Sequence, residues 1–306
     1  MARILISGAS GLIGSSLAAF FESHRDEVTR LVRRRPRSSD ERQWDPMREI
    51  PPHLVSAFDV VVHLSGESVS GRWNEAKKKR IRGSRVITTQ NLVRALVEAD
   101  IRPKVFVCAS AIGYYGDRGN EVLTEDSPAG NGFLAELSRE WESATAPAAD
   151  AGIRTANLRT GIVLSREGGA LKQILLPFRL GLGGRVGDGR QWWSWIHIDD
   201  FVAAIQHIVD DTKGGASHGL LSGPINMTSP NPVTNDEFTR TLARVLKRPA
   251  VLPVPAFAAR LAFGEFAQEG LLSSARVQPK KLLEAGFQFR FPRLEMALSE
   301  LIAKPE

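Results

Sequence analysis

Three glycines near the start of the chain have a spacing that indicates binding of a phosphate-containing ligand. Gly8, Gly11 and Gly14 follow a short apolar run, residues 1–7, and precede a segment whose apolar periodicity predicts a helix. The first glycine permits a tight strand-to-helix turn, the second lets the backbone approach a pyrophosphate, and the third lets helix and strand pack closely. The helix would then direct unpaired N–H groups at the phosphates. This context predicts a dinucleotide site rather than a glycine-rich turn without a ligand. The predicted contacts come from Gly8, Ser10, Gly11, Leu12 and Ile13.

A run of arginines after the second predicted strand, residues 27–32, indicates which dinucleotide is bound. An NAD enzyme places Asp or Glu about 20 residues beyond the glycines, on the ribose 2′-hydroxyl. This chain has Arg33, Arg34 and Arg35 there instead, and no carboxylate. Because guanidinium groups can bind a 2′-phosphate bidentately, we predict NADP(H) as the cofactor, with Arg33 and Arg34 on that phosphate. A solvated basic loop end is the alternative.

The turn after the third predicted strand, residues 59–64, is built from small and polar residues. In an open parallel sheet, ligands bind outside the carboxyl ends of the strands. We therefore predict cofactor contacts from Leu64, Ser65, Gly66 and Glu67, with Arg72 assisting Glu67.

Three hydroxyl-bearing side chains lie at the end of the fourth predicted strand. Ser110 ends that strand, and Tyr114 and Tyr115 lie in the loop beyond it. A general acid or base must lie within hydrogen-bond reach of the proton that it transfers. These three residues are the catalytic candidates, and Ser110 is also a candidate cofactor contact. The alternative for the tyrosines is that they only pack against the nicotinamide end of the cofactor.

An excursion from the predicted sheet begins near residue 177 and returns at Trp195, so we expect it to cross the cleft and shape substrate access. Arg179 or Arg185 could hold an anionic group of the substrate. Trp195 and His197 are predicted on the substrate side, where the three tryptophans of this segment would line or close a pocket. For His197 a structural role is favoured over general acid catalysis. Asp199 is predicted to cap the helix that follows.

The metal-binding residue types form no recognisable ligand pattern. Cys108 is the single cysteine, which excludes an intrachain disulfide, and its apolar surroundings predict a buried thiol rather than a nucleophile. The six histidines and the acidic residues show neither HExxH nor CxxC spacing. We predict no bound metal.

Composition fits an ordinary enzyme that is expected in the cytoplasm. The 306 residues are 42% hydrophobic and 24% charged, enough for one large domain and a smaller one. The net charge of +6 comes mainly from two clusters, residues 30–37 and 72–85, with little aromatic interleaving. A phosphorylated cofactor and a solvated helix face explain these clusters better than nucleic acid does. No signal peptide is expected, and no apolar stretch approaches the roughly 18 residues of a membrane span.

Strand and helix patterns alternate along the chain, which predicts an α/β fold with a doubly wound parallel sheet. A long amphipathic helix is predicted over residues 77–96, and a capped helix over residues 235–246. The predicted NADP-binding domain comprises residues 1–165 and 195–223. Residues 166–194 and 224–306 would form a smaller, discontinuous substrate-side domain. Four apolar residues near the end could be core or the face of a homodimer, and core is favoured; they are Leu261, Phe263, Leu271 and Leu272.

Five segments together resemble an atypical extended short-chain dehydrogenase/reductase of the epimerase-like family. They are GASGLIG (8–14), HLSGE (63–67), RWNEAKKKRIRGSR (72–85), SAIGYYGDRG (110–119) and WIHIDD (195–200). Residues 225–230, 253–255 and 286–289 resemble that family's characteristic C-terminal domain of unknown function. The resemblance implies a Rossmann-like domain that binds NADP, and a smaller domain that forms the other wall of the cleft.

The chain departs from this family at the positions that carry its chemistry. Related enzymes use a Tyr-x-x-x-Lys pair for proton transfer, but Phe133 and Leu137 stand about where these residues would be. The expected Ser or Thr position falls near residues 111–113, just after Ser110. The favoured function is an NADP(H)-dependent oxidoreductase with unusual proton chemistry, acting on an unidentified small molecule. A nucleoside-diphosphate-sugar epimerase and a non-catalytic NADPH-binding redox sensor are the alternatives.

Overall fold

The computed structural model describes residues 1–211 and 221–303, and a parallel sheet forms its centre. The strands are β1 (Arg3–Ser7), β2 (Glu27–Val32), β3 (Glu41–Gln43), β4 (Val60–His63), β5 (Val105–Ala111), β6 (Val122–Leu123), β7 (Arg154–Thr160), β8 (Ile162–Leu164), β9 (Trp192–Trp193), β10 (Trp195–His197), β11 (Gly223–Met227), β12 (Val233–Thr234) and β13 (Arg276–Val277). Seven of them pair in the order β11-β7-β5-β4-β1-β2-β3, all parallel. The predicted α/β fold with a Rossmann-like sheet is confirmed.

Helices cover both faces of this sheet. They are α1 (Leu12–Ser23), α2 (Glu75–Gly83), α3 (Val86–Glu98), α4 (Phe133–Ser143), α5 (Ala146–Asp150), α6 (Gly169–Arg179), α7 (Ile198–Asp210), α8 (Asn235–Leu246), α9 (Ala256–Phe263), α10 (Lys280–Glu284) and α11 (Leu294–Ala303). Alternate residues of each central strand enter opposite core layers, as a sheet buried on both faces requires. In β1, Ile4 and Ile6 pack with α1 and α7, whereas Leu5 packs with α3.

The helix predicted over residues 77–96 is two helices, so that prediction was wrong. Gly83 and Ser84 end α2, and α3 begins at Val86 after Arg85 with φ −114° and ψ −62°. The apolar periodicity survives the break, because Ile81 and Leu92 are both fully buried. The change of direction brings Ser84 and Arg85 against the turn that follows β4.

Helix starts illustrate how local signals succeed or fail. Thr234 caps α8, and its Oγ1 accepts a hydrogen bond from the Glu237 N–H at 3.2 Å, as the sequence predicted. The cap of α7 is His197 rather than the predicted Asp199, which lies in the first turn. The Nδ1 atom of His197 accepts from the Asp199 N–H at 3.1 Å, so an imidazole performs the capping role expected of a carboxylate.

Helices α6, α8 and α11 form a smaller layer of the structure, and their apolar side chains pack into a separate cluster. The favoured core placement of two C-terminal residues was wrong, because Leu261 and Phe263 are 71% and 41% exposed. The last strand of the main sheet, β11, begins at residue 223, which is the residue where the NADP-binding domain was predicted to end. Within the described residues, no helix is both long and apolar enough to cross a bilayer.

Candidate functional site

The glycine turn between β1 and α1 is too tight for any other residue at two of its positions. A Cβ atom on Gly14 would lie 2.2 Å from the carbonyl oxygen of Gly8. Gly8 has φ +75°, a conformation that side chains rarely adopt, and a Cβ there would lie 2.8 Å from the backbone of Leu64. The backbone N–H of Gly11 donates to the Gly8 oxygen at 3.0 Å. The turn therefore keeps α1 directly behind β1 and places its N-terminus at the carboxyl edge of the sheet.

A cavity of about 400 Å³ opens in front of this turn. Its lining includes five residues that the sequence analysis assigned to the cofactor: Gly8, Gly11, Leu12, Ile13 and Leu64. Eight other residues from β5, β7 and β8 and from the first turns of α1, α6 and α7 complete it: Gly14, Ala109, Thr160, Ile162, Val163, Gly169, Ala170 and Phe201. The sequence had assigned none of the lining residues beyond position 100 to the cofactor, although Gly168 and Gly169 at the start of α6 were a usable signal. Ser10 is exposed and does not line this cavity.

The turn after β4 abuts the glycine turn and is tied to the junction of α2 and α3. The backbone N–H of Glu67 donates to Ser84 Oγ at 2.9 Å. The Glu67 carboxylate is bound by Arg80 and Lys77 at 3.1 and 3.3 Å, and the hydrogen bond from Arg80 lowers its pKa. Arg72, predicted to assist Glu67, instead packs against Gly264 at the end of α9. The carboxylate of Glu67 is therefore already paired with two cationic side chains of the protein.

The two arginines assigned to the 2′-phosphate have different surroundings. Arg34 makes a bidentate ion pair with Glu41, with distances of 2.8 and 2.6 Å. Glu41 lies on β3, so the fold brings a carboxylate to the end of β2 where the sequence showed none. Arg33 is exposed and makes no ion pair within the described residues. Of the two arginines assigned to the 2′-phosphate, Arg33 is therefore the one whose guanidinium has no ion pair within the described residues.

Two of the three catalytic candidates are held in structural hydrogen bonds. Ser110 Oγ donates to Glu142 at 2.7 Å. Tyr115 is fully buried, and its hydroxyl lies 2.7 Å from Asn226 Oδ1 and accepts from Arg159 at 3.0 Å. Burial raises the pKa of Tyr115 to about 12. A phenol in these surroundings keeps its proton at neutral pH and serves to connect strands.

Tyr114, the third candidate, lies above the same network. The guanidinium carbon of Arg159 is 3.4 Å from the centre of the Tyr114 ring, a cation–π contact. Arg159 is itself fixed by Glu142 through bonds of 2.8 and 2.9 Å. The Tyr114 hydroxyl makes no hydrogen bond to the residues that the structure describes. Of the three candidates, it is the one whose hydroxyl is uncommitted.

The helix α4, where a tyrosine and a lysine would be expected, presents apolar side chains. Phe133 packs edge-to-face on Trp73, with ring centres 5.1 Å apart, and Leu137 is buried in the same cluster. The N-terminus of α4 is closed by Glu269, whose carboxylate accepts from the backbone N–H groups of Phe133 and Leu134 at 3.0 and 2.8 Å. The C-terminal segment therefore completes this wall of the cleft.

The residues predicted on the substrate side do not converge on the cofactor cavity. Trp195 is fully buried in the apolar cluster of the smaller layer, where its Nε1 donates to the Asn231 oxygen at 3.1 Å. The prediction that Trp195 lies on the substrate side was therefore wrong, because its buried ring cannot reach a ligand in the cleft. Arg179 and His197 line a different cavity of about 650 Å³, which also contacts Leu301 of α11.

His197 has the surroundings of a structural residue. Its Nδ1 accepts from the Asp199 N–H, so Nε2 carries the proton and donates to Glu300 at 3.1 Å. Burial lowers its pKa and favours this neutral form. His197, Asp199 and Glu300 are residue types that bind metals, but both ring nitrogens are already engaged. The geometry therefore favours the structural interpretation of this histidine.

Cys108 belongs to β5, where its side chain enters the core layer on the α3 side of the sheet, and it does not line the cavity. The thiol is fully buried, and burial raises its pKa to about 12. Because the thiolate is the nucleophile, this side chain is unreactive at neutral pH.

Comparisons with known proteins agree with this geometry. A model of the NAD dependent epimerase/dehydratase family matches residues 4–221, and a model described as a domain of unknown function, DUF1731, matches residues 254–301. An epimerase family protein of Mycobacterium tuberculosis is 43% identical over 99% of both chains.

Solved structures show the same relationship. The crystal structure of the human epimerase family protein SDR39U1 (isoform 2) with NADPH has a TM-score of 0.89 and 34% identity, covering 99% of this chain and 100% of that one. A structure described as the nucleoside-diphosphate sugar epimerase from Corynebacterium glutamicum has a TM-score of 0.79 and 38% identity, covering 98% of this chain and 58% of that one. This chain belongs to the NAD dependent epimerase/dehydratase family, and its C-terminal part matches the domain of unknown function DUF1731.

Proposed function

We propose that this protein binds NADP(H) and is an oxidoreductase that acts on a small molecule without a Tyr-Lys pair. The observation that carries the proposal is the turn at Gly8 and Gly14, where any Cβ atom would collide and which opens onto the cavity of about 400 Å³. The human relative crystallised with NADPH supports the choice of cofactor. The apolar Phe133 and Leu137 support the absence of the usual proton relay.

The residues that would hold the cofactor fit its chemistry. The backbone N–H groups at the start of α1 face the cavity and suit a pyrophosphate. Arg33, exposed and without an ion pair in the described chain, suits a 2′-phosphate. When bound, NADP(H) would supply hydride transfer to or from the substrate. The apolar side chains of Ile162 and Val163 would exclude water from the part of the cavity that they line.

We assign proton transfer to Tyr114 and positioning roles to its neighbours. Ser110, Glu142 and Arg159 form one hydrogen-bonded group, and Arg159 packs on the Tyr114 ring. Tyr115 anchors the same loop from below through Asn226. This arrangement fixes Tyr114 at the carboxyl edge of β5 while leaving its hydroxyl uncommitted. The usual epimerase mechanism uses the Tyr-Lys pair as the base on the substrate hydroxyl, and α4 has Phe133 and Leu137 at those positions.

Calorimetric titration of the protein with NADPH and NADH tests the cofactor part of the proposal. We expect NADPH to bind at least about tenfold more tightly, because a guanidinium–phosphate pair contributes roughly 1.5–3 kcal/mol. Equal affinity for the two cofactors would contradict the assignment of Arg33, and failure to bind either would overturn the proposed function.

A further inference from the structure

The loop after α6 and the segment that leads into α9 expose large apolar side chains to solvent. Six of them, each between 49% and 73% exposed, are called the apolar face: Leu180, Leu182, Val251, Leu252, Phe257 and Leu261. None of the six lines the cofactor cavity or the cavity beside His197. Large exposed apolar patches on folded proteins mark sites where another molecule or a membrane binds.

Backbone contacts join the loop and the segment into one surface. The N–H of Leu252 donates to the Gly183 oxygen at 3.3 Å, and the N–H of Val254 donates to the Arg185 oxygen at 2.8 Å. Helix α9 begins directly after this segment. The members of the apolar face are therefore neighbours, although about 70 positions separate the two segments in sequence.

Helix α9 directs its largest side chains away from the protein. Phe257 and Leu261, one turn apart, are both 71% exposed, whereas Ala259 between them is 2% exposed. A surface helix normally has the opposite arrangement, with its large apolar residues against the core. The inverted arrangement indicates that Phe257 and Leu261 are positioned for a partner outside the protein.

The two segments are rich in basic residues and contain no acidic residue. Residues 238–264 include five basic residues, and residues 168–187 include three. Carboxylates of other elements pair with some of these cations. Asp236 pairs with Arg240 and Arg185, and Glu295 pairs with Arg244.

Three cations beside the apolar face have no such partner. Lys247, Arg248 and Arg260 are exposed, and none makes an ion pair in the part of the chain that the structure describes. The Nε atom of Arg260 donates to the neutral side chain of Gln268 at 3.1 Å. Lys247 and Arg248 directly precede the segment, and Arg260 lies on α9 itself. The apolar face is therefore flanked by unpaired positive charge.

We propose that the apolar face docks on the surface of a membrane that contains anionic lipids. Phe257 and Leu261 enter the boundary between headgroups and acyl chains, while Lys247, Arg248 and Arg260 contact the lipid phosphates. A second copy of this chain fits less well, because a two-fold contact would bring the same unpaired cations together. Docking of this kind needs no spanning helix and does not depend on NADP(H) binding.

Sedimentation with vesicles tests the proposal on the full chain. Wild-type protein should bind vesicles made of equal parts of phosphatidylcholine and phosphatidylglycerol. Vesicles of phosphatidylcholine alone should bind at least about tenfold more weakly, and added salt should weaken binding to the mixed vesicles. Failure to bind the mixed vesicles, or equal binding to both kinds, would overturn the proposal.

A double variant tests the apolar contribution. Phe257→Ser combined with Leu261→Ser should lower the partition coefficient on mixed vesicles at least about tenfold. Ile101→Ser is the matched control, because Ile101 is 60% exposed in the loop before β5, and it should bind as wild type does. Unchanged binding by the double variant would contradict the proposal.

A triple variant tests the charged contribution. Lys247→Gln, Arg248→Gln and Arg260→Gln together should also lower the partition coefficient at least about tenfold. The control with the same net charge combines three exposed arginines from other elements: Arg25→Gln, Arg94→Gln and Arg139→Gln. It should retain most of the binding, and equal losses in the two triple variants would reduce the effect to net charge and overturn the assignment of this face.

A fluorescent label locates the contact and does not require the multiple variants to fold. Cys108 is the single cysteine and is fully buried, so a thiol-reactive, environment-sensitive label on Leu261→Cys reports on that position. Its emission should shift to shorter wavelength on mixed vesicles, whereas the same label on Ile101→Cys should not respond. Equal responses at the two positions would contradict docking through α9.

Analytical ultracentrifugation without lipid decides between the membrane and a second copy. A wild-type dimer that Phe257→Ser with Leu261→Ser converts into a monomer would assign the apolar face to self-association and overturn membrane docking. An oligomeric state that this double variant leaves unchanged supports the proposal. Circular dichroism verifies the fold of each variant.

Discussion

The carboxylate of Glu269 accepts a hydrogen bond of 3.0 Å from the backbone N–H of Phe133, the first residue of α4. A second bond of 2.8 Å comes from the N–H of Leu134. Glu269 of the DUF1731 domain therefore caps α4, the helix on which Phe133 and Leu137 occupy the positions of the usual Tyr-Lys pair. Phe266 packs on Trp73 next to it, with ring centres 5.8 Å apart. The C-terminal domain is thus a structural part of the cleft.

Replacement of Glu269 should measure this connection. We expect Glu269→Ala to lower the free energy of unfolding by about 1–2 kcal/mol, because it leaves two N–H groups of α4 uncapped. The matched control is Glu265→Ala, which removes a carboxylate paired with Lys78 at the surface of the same segment and should cost less than about 1 kcal/mol. Urea denaturation gives both values, and equal losses would contradict the capping role.

Arg33 and Arg34 should contribute unequally to NADPH binding. We expect Arg33→Ala to weaken NADPH by about tenfold or more and to leave NADH nearly unchanged. Arg34→Ala should have the smaller effect, because its guanidinium is already bound by Glu41. Titration of both variants with both cofactors tests this order. A larger effect of Arg34 would mean that the ion pair with Glu41 opens when the cofactor binds.

Gly14→Ala should abolish cofactor binding and destabilise the protein. The new methyl group would lie 2.2 Å from the Gly8 oxygen, so α1 would have to move away from β1. Gly83→Ala is the control, since a Cβ there meets only side-chain atoms of Met47 and Ile87 at ordinary contact distances. Thermal unfolding and NADPH titration should separate the two variants. Normal binding by Gly14→Ala would refute the described turn geometry.

His63 should make the protein sensitive to acid. It is fully buried, with Nδ1 2.6 Å from Ser7 Oγ, and burial lowers its pKa to about 4. In the unfolded chain a histidine has a pKa near 6.5, so between pH 6.5 and 4 the unfolded chain binds a proton more readily than the folded protein does. The free energy of unfolding should therefore be unaffected above about pH 6.5 and fall as the pH drops from there toward 4.

Replacement of His63 tests this linkage. In His63→Gln the decline between pH 6.5 and 4 should be shallower than in wild type, whatever the variant's stability at neutral pH. His53→Gln changes an exposed histidine and should retain the wild-type slope. Urea unfolding at a series of pH values gives the slopes. Identical slopes for His63→Gln and wild type would show that another group causes the loss of stability between pH 6.5 and 4.

Tyr114→Phe should slow substrate turnover without changing NADPH affinity. The loss expected from removing a general acid is about 100-fold or more in kcat. Tyr115→Phe should instead lower stability by about 1–3 kcal/mol, because Arg159 and Asn226 lose a buried partner. A Tyr114→Phe variant with full activity would remove this residue from the mechanism.

Local patterns predicted those parts of the site that depend on neighbours in sequence. The glycine turn and the Thr234 cap each involve residues within a few positions of one another, so their spacing carries the information. Long-range partners could not be predicted in this way. Glu41 reaches Arg34 through strand pairing, and Glu269 reaches Phe133 across 136 positions. A periodicity count also overlooks a break such as that at Ser84, because the apolar stripe continues through it.

Hydride transfer is the central claim, and labelled cofactor tests it most directly. The protein is incubated with NADPH carrying deuterium at C4, in separate samples for the two faces of the ring, together with a small-molecule extract from cells. Mass spectrometry then follows the label. The account predicts deuterium in a small molecule for one of the two faces only. Retention of all label on the cofactor, with NADPH bound, would contradict an oxidoreductase and favour a protein that binds NADPH without turnover.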